Sequence, residues 1–361
     1  MSIKKDKYYI KFANNLALNH NGYSGPNPSV GAVVVKNDEI ISFGNTGYSG
    51  RPHAEVNALD KLSKKDKKNS TIYISLEPCS HYGKSPPCVS KIIESNIKRV
   101  VYSINDVDYR TSGKAYKKLK LKNIKVKKNL LKNYSRKIYK SYFYSKKKKI
   151  PYVYGKLAIS KDFYIKSKKN FYITNEHSRN VSHLLRSKVN CILTTYKTIN
   201  TDNPKLNCRI DGLNNFSPSV AILDKNLKIK KNSFLILNAQ KNKTYLFYNK
   251  KDDKIARYLK AKKVKMIYTP LYKNQLDFNY ILKTLYKYEI SSILIEGGKS
   301  LTYSLLNNDF FNEFYLFISS KDLKNKGLLK VSNIKSSLTS KFNNIKFNET
   351  FLDKDNLMHY Y

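Results

Sequence analysis

Apolar positions in the first 145 residues follow two alternating periods. Residues 8–18 have the three-to-four-residue spacing of a helix, whereas residues 30–35 form a continuous apolar run typical of a buried strand. The same pattern predicts strands at 40–43, 71–76 and 99–104, and helices at 53–62, 88–95 and 129–144. Alternation of this kind predicts an α/β domain in which a sheet is layered with helices.

A second alternating block begins at Pro151. Its predicted strands are 152–159, 189–194, 220–223, 244–248, 264–267, 292–295 and 314–318, and its predicted helices include 176–186, 278–288 and 300–306. No internal repeat at a fixed period is visible. We therefore predict two α/β domains, residues 1–145 and 151–361, joined by a basic linker at 146–150.

Composition allows a folded protein with a sizeable core. The chain has 361 residues, of which 41% are apolar, so disorder throughout is excluded. No apolar run approaches the roughly 20 residues of a membrane-spanning helix, and Asn14-Asn15 interrupt the only short apolar stretch near the start. The four cysteines are too few for a disulfide scaffold of this size. We expect a cytoplasmic protein without a membrane partner.

The formal net charge of +43 raises the question of nucleic-acid binding. Lysine is, however, spread along the whole chain together with many Asn, Ile and Tyr residues, and tryptophan is absent. All of these abundant residues have A/T-rich codons, so compositional drift explains the bias without a ligand. We expect salt-sensitive, non-specific attraction to polyanions and no specific nucleic-acid partner.

The strongest chemical signal is a set of one histidine and two cysteines. His53 opens a His-Ala-Glu motif, and both Cys79 and Cys88 directly follow a proline. One imidazole and two thiolates are a typical ligand set for a catalytic zinc ion, with the fourth position open to water. Zinc lowers the pKa of such a water, and the carboxylate of Glu55, two residues from the histidine, is placed to move its proton.

This pattern matches the zinc nucleobase deaminase signature, with one departure. Eight residues separate Cys79 from Cys88, where the general signature has two. The insert is polar and basic, so it could hold a substrate phosphate or ribose. The alternative is that His53 is a buried core histidine and the two cysteines are small hydrophobes. Cys191 and Cys208 lack such a setting, and ordinary packing explains both.

Three stretches, residues 26–31, 53–59 and 76–88, resemble the bifunctional deaminase–reductase family of riboflavin biosynthesis. The long cysteine spacing is that family's own form. The resemblance implies an N-terminal cytidine-deaminase-like three-layer domain and a C-terminal α/β domain similar to dihydrofolate reductase. It also implies that zinc is bound by His53, Cys79 and Cys88, that Glu55 is the proton shuttle, and that a pyrimidine ribotide is contacted by Asn27, His81, Lys84 and Asp106.

Two positions in the first half depart from the family pattern. A histidine usual seven residues before the zinc-binding histidine is Thr46 here. The family's Asp-Pro-Asn-Pro stretch reads Asp106-Val107-Asp108-Tyr109, and of the following Gly-rich turn only Gly113 is retained. The ribose and phosphate contacts around Asp106 are therefore expected to differ.

The second half resembles the reductase part of the family more loosely. Residues 156–162 match its opening strand, but Phe163 replaces a usual glycine and Tyr172 a usual tryptophan. The Gly297-Gly298 pair between a strand and a helix would suit a phosphate at the helix N-terminus. By the resemblance, substrate contacts are Lys156, Asn170, Arg186, Leu206, Arg209 and Glu296, and NADPH contacts are Ala158, Tyr172, Thr198, Asp202, Gly298, Lys299, Ser300 and Leu301. Arg186 and Arg209 would grip the ribotide phosphate.

The predicted function is a pair of sequential reactions on one small-molecule ribotide. The first is zinc-dependent deamination of 2,5-diamino-6-(5-phosphoribosylamino)pyrimidin-4(3H)-one, and the second is NADPH-dependent reduction of its ribose to a ribityl chain. We also expect a homo-oligomer, as is frequent among enzymes of this kind. Two alternatives remain: a deaminase acting on tRNA or another polynucleotide, and an active deaminase whose C-terminal half is a non-catalytic module.

Overall fold

A computed structural model describes residues 2–168, 172–250, 252–348 and 353–361. The chain divides into two compact units, Met1–Ile150 and Pro151–Tyr361. Within the described ranges, none of the helices combines the length and the apolar character that crossing a membrane requires.

The first unit is built on a five-stranded sheet in the order β2-β1-β3-β4-β5. Strand β1 runs antiparallel to β2 and β3, whereas β3, β4 and β5 are mutually parallel. The strands are β1 Gly31–Lys36, β2 Glu39–Asn45, β3 Thr71–Ile74, β4 Arg99–Tyr102 and β5 Lys125–Lys127. The helices are α1 Ile3–Asn19, α2 Ala54–Leu59, α3 Lys64–Lys67, α4 Cys88–Glu94, α5 Lys114–Lys120, α6 Lys132–Ile138 and α7 Lys140–Lys148.

Helices cover both faces of this sheet, which makes three layers. One face packs through Val34 and Ile72 against helices α2, α4 and α5. The opposite face packs through Val33 and Tyr73 against α1. Gly31 lets the α1 backbone approach closely, because a Cβ there would lie 2.1 Å from the Ala13 carbonyl oxygen. The three-layer α/β architecture predicted for this half is confirmed.

The predicted single helix at 129–144 is wrong. Two helices, α6 and α7, take its place, and Tyr139 separates them with a non-helical backbone (φ −93°, ψ 10°). Leu131, directly before α6, has a φ of 60°, which a helix cannot continue through. Lys146–Lys148, assigned above to a linker, form the last turn of α7.

The second unit contains a nine-stranded sheet in the order β11-β10-β9-β8-β14-β6-β15-β18-β17. Its strands are β6 Tyr152–Ile159, β8 Cys191–Thr195, β9 Ser219–Leu223, β10 Thr244–Tyr248, β11 Lys265–Tyr268, β14 Ser292–Glu296, β15 Glu313–Ile318, β17 Ile345–Asn348 and β18 Asn356–Tyr360. Two small ribbons add β7 Tyr164–Ser167 with β16 Gly327–Lys330, and β12 Leu271–Tyr272 with β13 Gln275–Leu276.

In the order given above, the first seven strands of the large sheet, from β11 at one edge to β15, are parallel to one another. Strand β18 then pairs antiparallel with β15, and the edge strand β17 pairs antiparallel with β18. The helices are α8 Glu176–Ser187, α9 Tyr196–Asp202, α10 Phe234–Leu237, α11 Asp253–Ala261, α12 Phe278–Lys287, α13 Lys299–Asn307 and α14 Ile334–Thr339. Helix α8 packs through Val181 and Leu185 onto Phe317 of the sheet. Because parallel strands end together at one edge, residues at the ends of β6, β8 and β14 are brought close to one another.

Candidate active sites

Three separate segments bring the predicted metal ligands together in the first unit. His53 directly precedes α2, Cys79 lies in the loop after β3, and Cys88 is the first residue of α4. The ligand atoms all lie within 4.8 Å of one another, and His53 Nδ1 is 3.1 Å from Cys88 Sγ and 3.5 Å from Cys79 Sγ. Tetrahedral zinc separates such atoms by about 3.5–3.8 Å. The donor set and its spacing therefore fit a zinc ion.

Local structure holds the two sulfur atoms in place. The backbone N–H of Cys88 donates to Cys79 Sγ at 3.2 Å, and the N–H of Val89 donates to the Cys79 carbonyl at 3.1 Å. A hydrogen bond from the Cys88 side chain lowers the pKa of Cys79, and the His53 imidazole lowers it further against the effect of burial. Cys79 is thus favoured as a thiolate, which is the form that binds metals.

Glu55 lies in the first turn of α2, beside these ligands, and its side chain is buried. Burial raises the pKa of this carboxyl above its usual range, and the neighbouring His53 opposes the rise. A carboxyl group that accepts a proton readily is suited to move protons between water and a leaving group.

The predicted substrate residue Asn27 is held against the segment that leads to His53. Its side-chain amide donates to the Gly50 carbonyl at 3.2 Å. Thr46, which stands where the family has a histidine, is buried and its hydroxyl accepts from the Val30 N–H at 2.9 Å. The same hydroxyl donates to the Pro28 carbonyl at 3.3 Å. Thr46 therefore fixes the loop that follows Asn27.

His81 and Asp106 each have a partner that sequence reasoning did not name. His81 Nδ1 lies 3.1 Å from the Thr111 hydroxyl, and the Tyr142 hydroxyl donates to Asp106 at 3.1 Å. Burial lowers the pKa of His81 and raises the pKa of Asp106. Lys84 is exposed on the same loop as His81.

Electrostatic effects show that these residues share one neighbourhood. The Cys79 and His53 side chains both influence the pKa of His81, so His81 lies near the metal ligands. Burial is the largest cause that raises the pKa of Tyr139, and the Glu55 and Asp106 carboxylates raise it further. Both carboxylates therefore lie near the Tyr139 phenol. No spacing rule in the sequence would have found Tyr142 or Thr111, because both come from distant segments.

In the second unit, a charged cluster forms where two parallel strands run in register. Lys156 of β6 pairs with Glu296 of β14, so both side chains lie on the same face of the sheet. Arg186 of α8 binds Glu296 through both carboxylate oxygens, with N–O distances of 2.6 and 2.9 Å. Burial would raise the pKa of Glu296, but Arg186 and then Lys156 outweigh it and lower this pKa to about 2. Burial also lowers the pKa of Lys156.

The partners of Arg186 bear on its predicted role as a phosphate ligand. Its third nitrogen donates to the Asn207 carbonyl at 3.2 Å, so all three guanidinium nitrogens have partners within the protein. Arg209 is exposed. Burial, and then the charges of Arg186 and Arg209, lower the pKa of the neighbouring His183 to about 4. The Leu206 side chain belongs to the hydrophobic core, so a substrate contact at Leu206 falls on its backbone.

The predicted cofactor residues around α13 leave room for a ligand. Gly298 directly precedes this helix, and a Cβ added there would meet no heavy atom within 4 Å. Lys299 and Ser300 are exposed in the first turn, and Leu301 is half-buried. Free space beside the N–H groups of a helix N-terminus fits a phosphate of NADPH.

The other predicted cofactor residues are spread over several elements. The Thr198 N–H donates to Thr195 Oγ1 at the start of α9, and Asp202 at its end pairs with Lys166 at 2.7 Å. Tyr172 is half-exposed and carries the Arg179 guanidinium over its ring. Ala158 is half-buried beside Phe317, and Asn170 lies outside the described residues.

Comparisons with known families match both units. Residues 3–104 match the cytidine and deoxycytidylate deaminase zinc-binding region, and residues 151–339 match the RibD C-terminal domain. The riboflavin biosynthesis protein RibD of Aquifex aeolicus is 34% identical over 318 residues, which cover 88% of this chain and 87% of that protein. The diaminohydroxyphosphoribosylamino-pyrimidine deaminase of Buchnera aphidicola subsp. Schizaphis graminum is 42% identical over 139 residues, which cover 38% of this chain and 94% of that protein.

Solved structures extend the likeness to the whole chain. Acinetobacter baumannii RibD superposes with a TM-score of 0.85 at 25% identity and covers 99% of both chains. The deaminase/reductase of Thermotoga maritima superposes with a TM-score of 0.82 at 29% identity, covering 99% of this chain and 98% of the other.

The two sites and the two folds together define a zinc-dependent deaminase joined to an NADPH-dependent reductase. Within this class, the chain belongs to the RibD family of bifunctional riboflavin biosynthesis enzymes. The matches support neither a polynucleotide deaminase nor a non-catalytic C-terminal module.

Proposed function

We propose that this chain deaminates the diaminohydroxyphosphoribosylaminopyrimidine and then reduces 5-amino-6-(5-phosphoribosylamino)uracil, the two substrates named for the Thermotoga maritima relative. The first unit carries out the deamination and the second the reduction. The observation that carries the proposal is the convergence of His53, Cys79 and Cys88 beside the buried Glu55.

In the deaminase, His53, Cys79 and Cys88 hold the zinc ion. When bound, zinc supplies a Lewis acid that makes water a nucleophile near neutral pH. Glu55 takes a proton from the attacking water and gives it to the leaving amino nitrogen. A C–O bond replaces the C–N bond, and ammonia leaves.

The walls of the deaminase site orient the ribotide. Asn27 precedes His53 in the sequence and His81 lies between Cys79 and Cys88, and each side chain is fixed by a hydrogen bond within the protein. Asp106 presents a buried carboxylate to the same region, and Lys84 offers an exposed ammonium to the phosphate. Fixed polar groups of this kind reduce the entropy lost when the substrate is oriented.

In the reductase, NADPH supplies a hydride to C1 of the ribose. Lys156 Nζ would give a proton to the ribose ring oxygen as the C1–O bond breaks, and the lone pair of the attached nitrogen would form the C=N bond of an iminium ion. Hydride addition at C1 would return that electron pair to nitrogen and give the neutral amine of the ribityl chain. Glu296 stabilises the Lys156 ammonium, since the two residues are direct neighbours across β14 and β6.

We assign binding of the ribotide phosphate in the reductase to Arg209. Its guanidinium is exposed and, among the described residues, donates a single hydrogen bond, to Asn207 Oδ1 at 3.2 Å, whereas Arg186 is bound to both oxygens of Glu296 and to the Asn207 carbonyl. A guanidinium binds phosphate through two parallel hydrogen bonds. Arg186 instead holds Glu296 in place beside Lys156.

The decisive experiment supplies the zinc-loaded, full-length chain with the diaminopyrimidine ribotide, with and without NADPH. Ammonia release and NADPH oxidation are followed separately. We expect ammonia release without NADPH, and NADPH oxidation that begins only after ammonia appears. A chelator should abolish the first reaction while the chain still oxidises NADPH when given the deaminated ribotide. NADPH oxidation without prior ammonia release would contradict the order, and no ammonia release at all would contradict the deaminase assignment.

The homo-oligomeric state, the cytoplasmic location and the lack of a specific nucleic-acid partner stay predictions. Light scattering of the purified chain tests the first. Salt-insensitive, sequence-selective binding of an RNA would contradict the last, because charge alone yields binding that weakens steeply with salt.

A further inference from the structure

We infer that Glu77 is a positioning residue of the deaminase site: its buried carboxylate holds the loop that carries Asp106 and supports His81. This inference deepens the proposed function, because it depends on the assignment of Asp106 and His81 to the substrate. The hydrogen bonds of the Glu77 carboxylate go to backbone N–H groups at the two ends of this loop, so Glu77 acts through the loop.

The Glu77 side chain is buried, and both of its oxygens accept hydrogen bonds from one loop. Oε2 accepts from the N–H of Asp106 at 3.2 Å and of Gly113 at 3.1 Å, and Oε1 accepts from the N–H of Ala115 at 3.2 Å. The Glu77 N–H also donates to the Ile104 carbonyl at 2.9 Å. One residue therefore holds both ends of the loop between β4 and α5.

The same loop also contacts the predicted substrate residue His81 and its neighbour Ser80. The hydroxyl of Thr111 lies 3.1 Å from His81 Nδ1, and the Arg110 carbonyl accepts from the Ser80 hydroxyl at 3.2 Å. Asp106 lies at the start of the loop, where Glu77 holds its N–H. Movement of the loop would therefore displace Asp106 and the support of His81 together.

The stretch Asp106-Val107-Asp108-Tyr109 contains no proline that would restrict its backbone. An ion pair between Asp108 and Arg110 at 2.6 Å shapes the middle of the loop, and Glu77 holds the ends of the loop. Backbone N–H groups bound to a charged carboxylate make stronger hydrogen bonds than those bound to neutral acceptors.

Glu77→Gln tests the inference, because it preserves the size of the side chain but turns an NH2 group towards a backbone N–H. For ammonia release by the zinc-loaded full-length chain, we expect the KM to rise about tenfold and kcat to stay within about threefold. Zinc content should stay at one ion per chain. Glu77→Asp, which keeps the charge on a shorter side chain, should give a smaller rise in KM and replaces the Gln variant if that variant does not fold.

Asp6→Asn is the matched control. Asp6 is also a buried carboxylate of this unit, and it accepts from Tyr73, Arg99 and Lys127 on the opposite face of the sheet. This variant should lower the Tm and leave the KM unchanged. If Glu77→Gln behaved in the same way, or lost zinc, Glu77 would have a structural or metal-supporting role and the inference would be overturned.

His81→Ala separates this inference from the proposed function. If His81→Ala raises the KM and the Glu77 variants do not, only the inference about Glu77 fails. If His81→Ala leaves the KM unchanged, the assignment of His81 to the substrate fails, and the inference fails with it.

Discussion

The two catalytic units hold their buried polar groups by different means. In the first unit, three side chains from loops and helix starts converge, and a zinc ion completes the site that they form. In the second unit, the Glu296 carboxylate is held between two cations: Arg186 binds it directly, and parallel strands in register bring Lys156 beside it. The deaminase site therefore depends on an added ion, whereas the charged cluster of the reductase is complete within the chain.

Removal of the proton shuttle should have the largest effect and should be confined to the first unit. Glu55→Gln is expected to lower kcat for ammonia release by about 10²–10⁴-fold, because Gln cannot carry the proton. Zinc content and the oxidation of NADPH with the deaminated ribotide should stay normal, as metal analysis and absorbance at the NADPH band would show. Deamination at the normal rate would remove Glu55 from its assigned role.

Breaking the ion pair between Arg186 and Glu296 should affect the second unit alone. Glu296→Gln leaves the Arg186 guanidinium without its charged partner and should destabilise this unit by about 3 kcal/mol. NADPH oxidation should fall strongly, while ammonia release continues at its normal rate. Thermal unfolding and the two activity assays provide the measurements.

The double variant Arg186→Gln with Glu296→Gln is the control for that experiment. It removes both charges of the pair and should recover part of the lost stability, because the guanidinium is no longer buried without a partner while Lys156 still lacks the Glu296 carboxylate. NADPH oxidation should not recover. Recovery of activity together with stability would show that Glu296 serves only the fold.

Lowering the pH should test a feature that the two units share, namely a buried carboxylate whose pKa is lowered by neighbouring cations: Asp6 in the first unit and Glu296 in the second. Burial would raise the pKa of Asp6, but hydrogen bonds from Arg99, Lys127 and Tyr73 outweigh it and lower this pKa to about 2. Because the folded state lowers the pKa, the ionised Asp6 contributes about 2 kcal/mol above pH 4, and this contribution is lost as the pH falls towards 2. Unfolding of the wild type and of Asp6→Asn, followed from pH 6 to pH 2, should therefore converge at the acid end. A constant difference in stability over this range would contradict the assignment.

Removal of an exposed ion pair should have the smallest effect on the free energy of unfolding. Asp60 pairs with Lys91 at 2.6 Å, and about half of the Asp60 side chain is exposed. Asp60→Asn should change the free energy of unfolding by less than about 0.5 kcal/mol, because solvent screens the pair. A loss comparable to that of Glu296→Gln would remove the distinction between buried and exposed pairs in this chain.

The sequence alone was sufficient for the elements with strong periodicity and for the three side chains that the fold brings together at the candidate metal site. The predicted strands at 152–159 and 244–248 coincide with β6 and β10, because most of their residues are apolar, as buried parallel strands require. His53, Glu55, Cys79 and Cys88 lie within short motifs whose spacing reflects their chemistry. Strands β5 and β17, by contrast, are short and contain lysine at sheet edges, so their pattern carried little signal.

Only the tertiary structure decided which residues support the chemistry. The partners Tyr142 of Asp106 and Thr111 of His81 lie about 30 residues or more away in the chain, at separations that no local pattern encodes. The binding of Arg186 to Glu296 spans 110 positions. The spacing of residues within a short motif indicates its chemistry, because the motif must bring its ligands close together. Long-range pairs depend instead on the register of strands and the packing of helices, which only the folded chain defines.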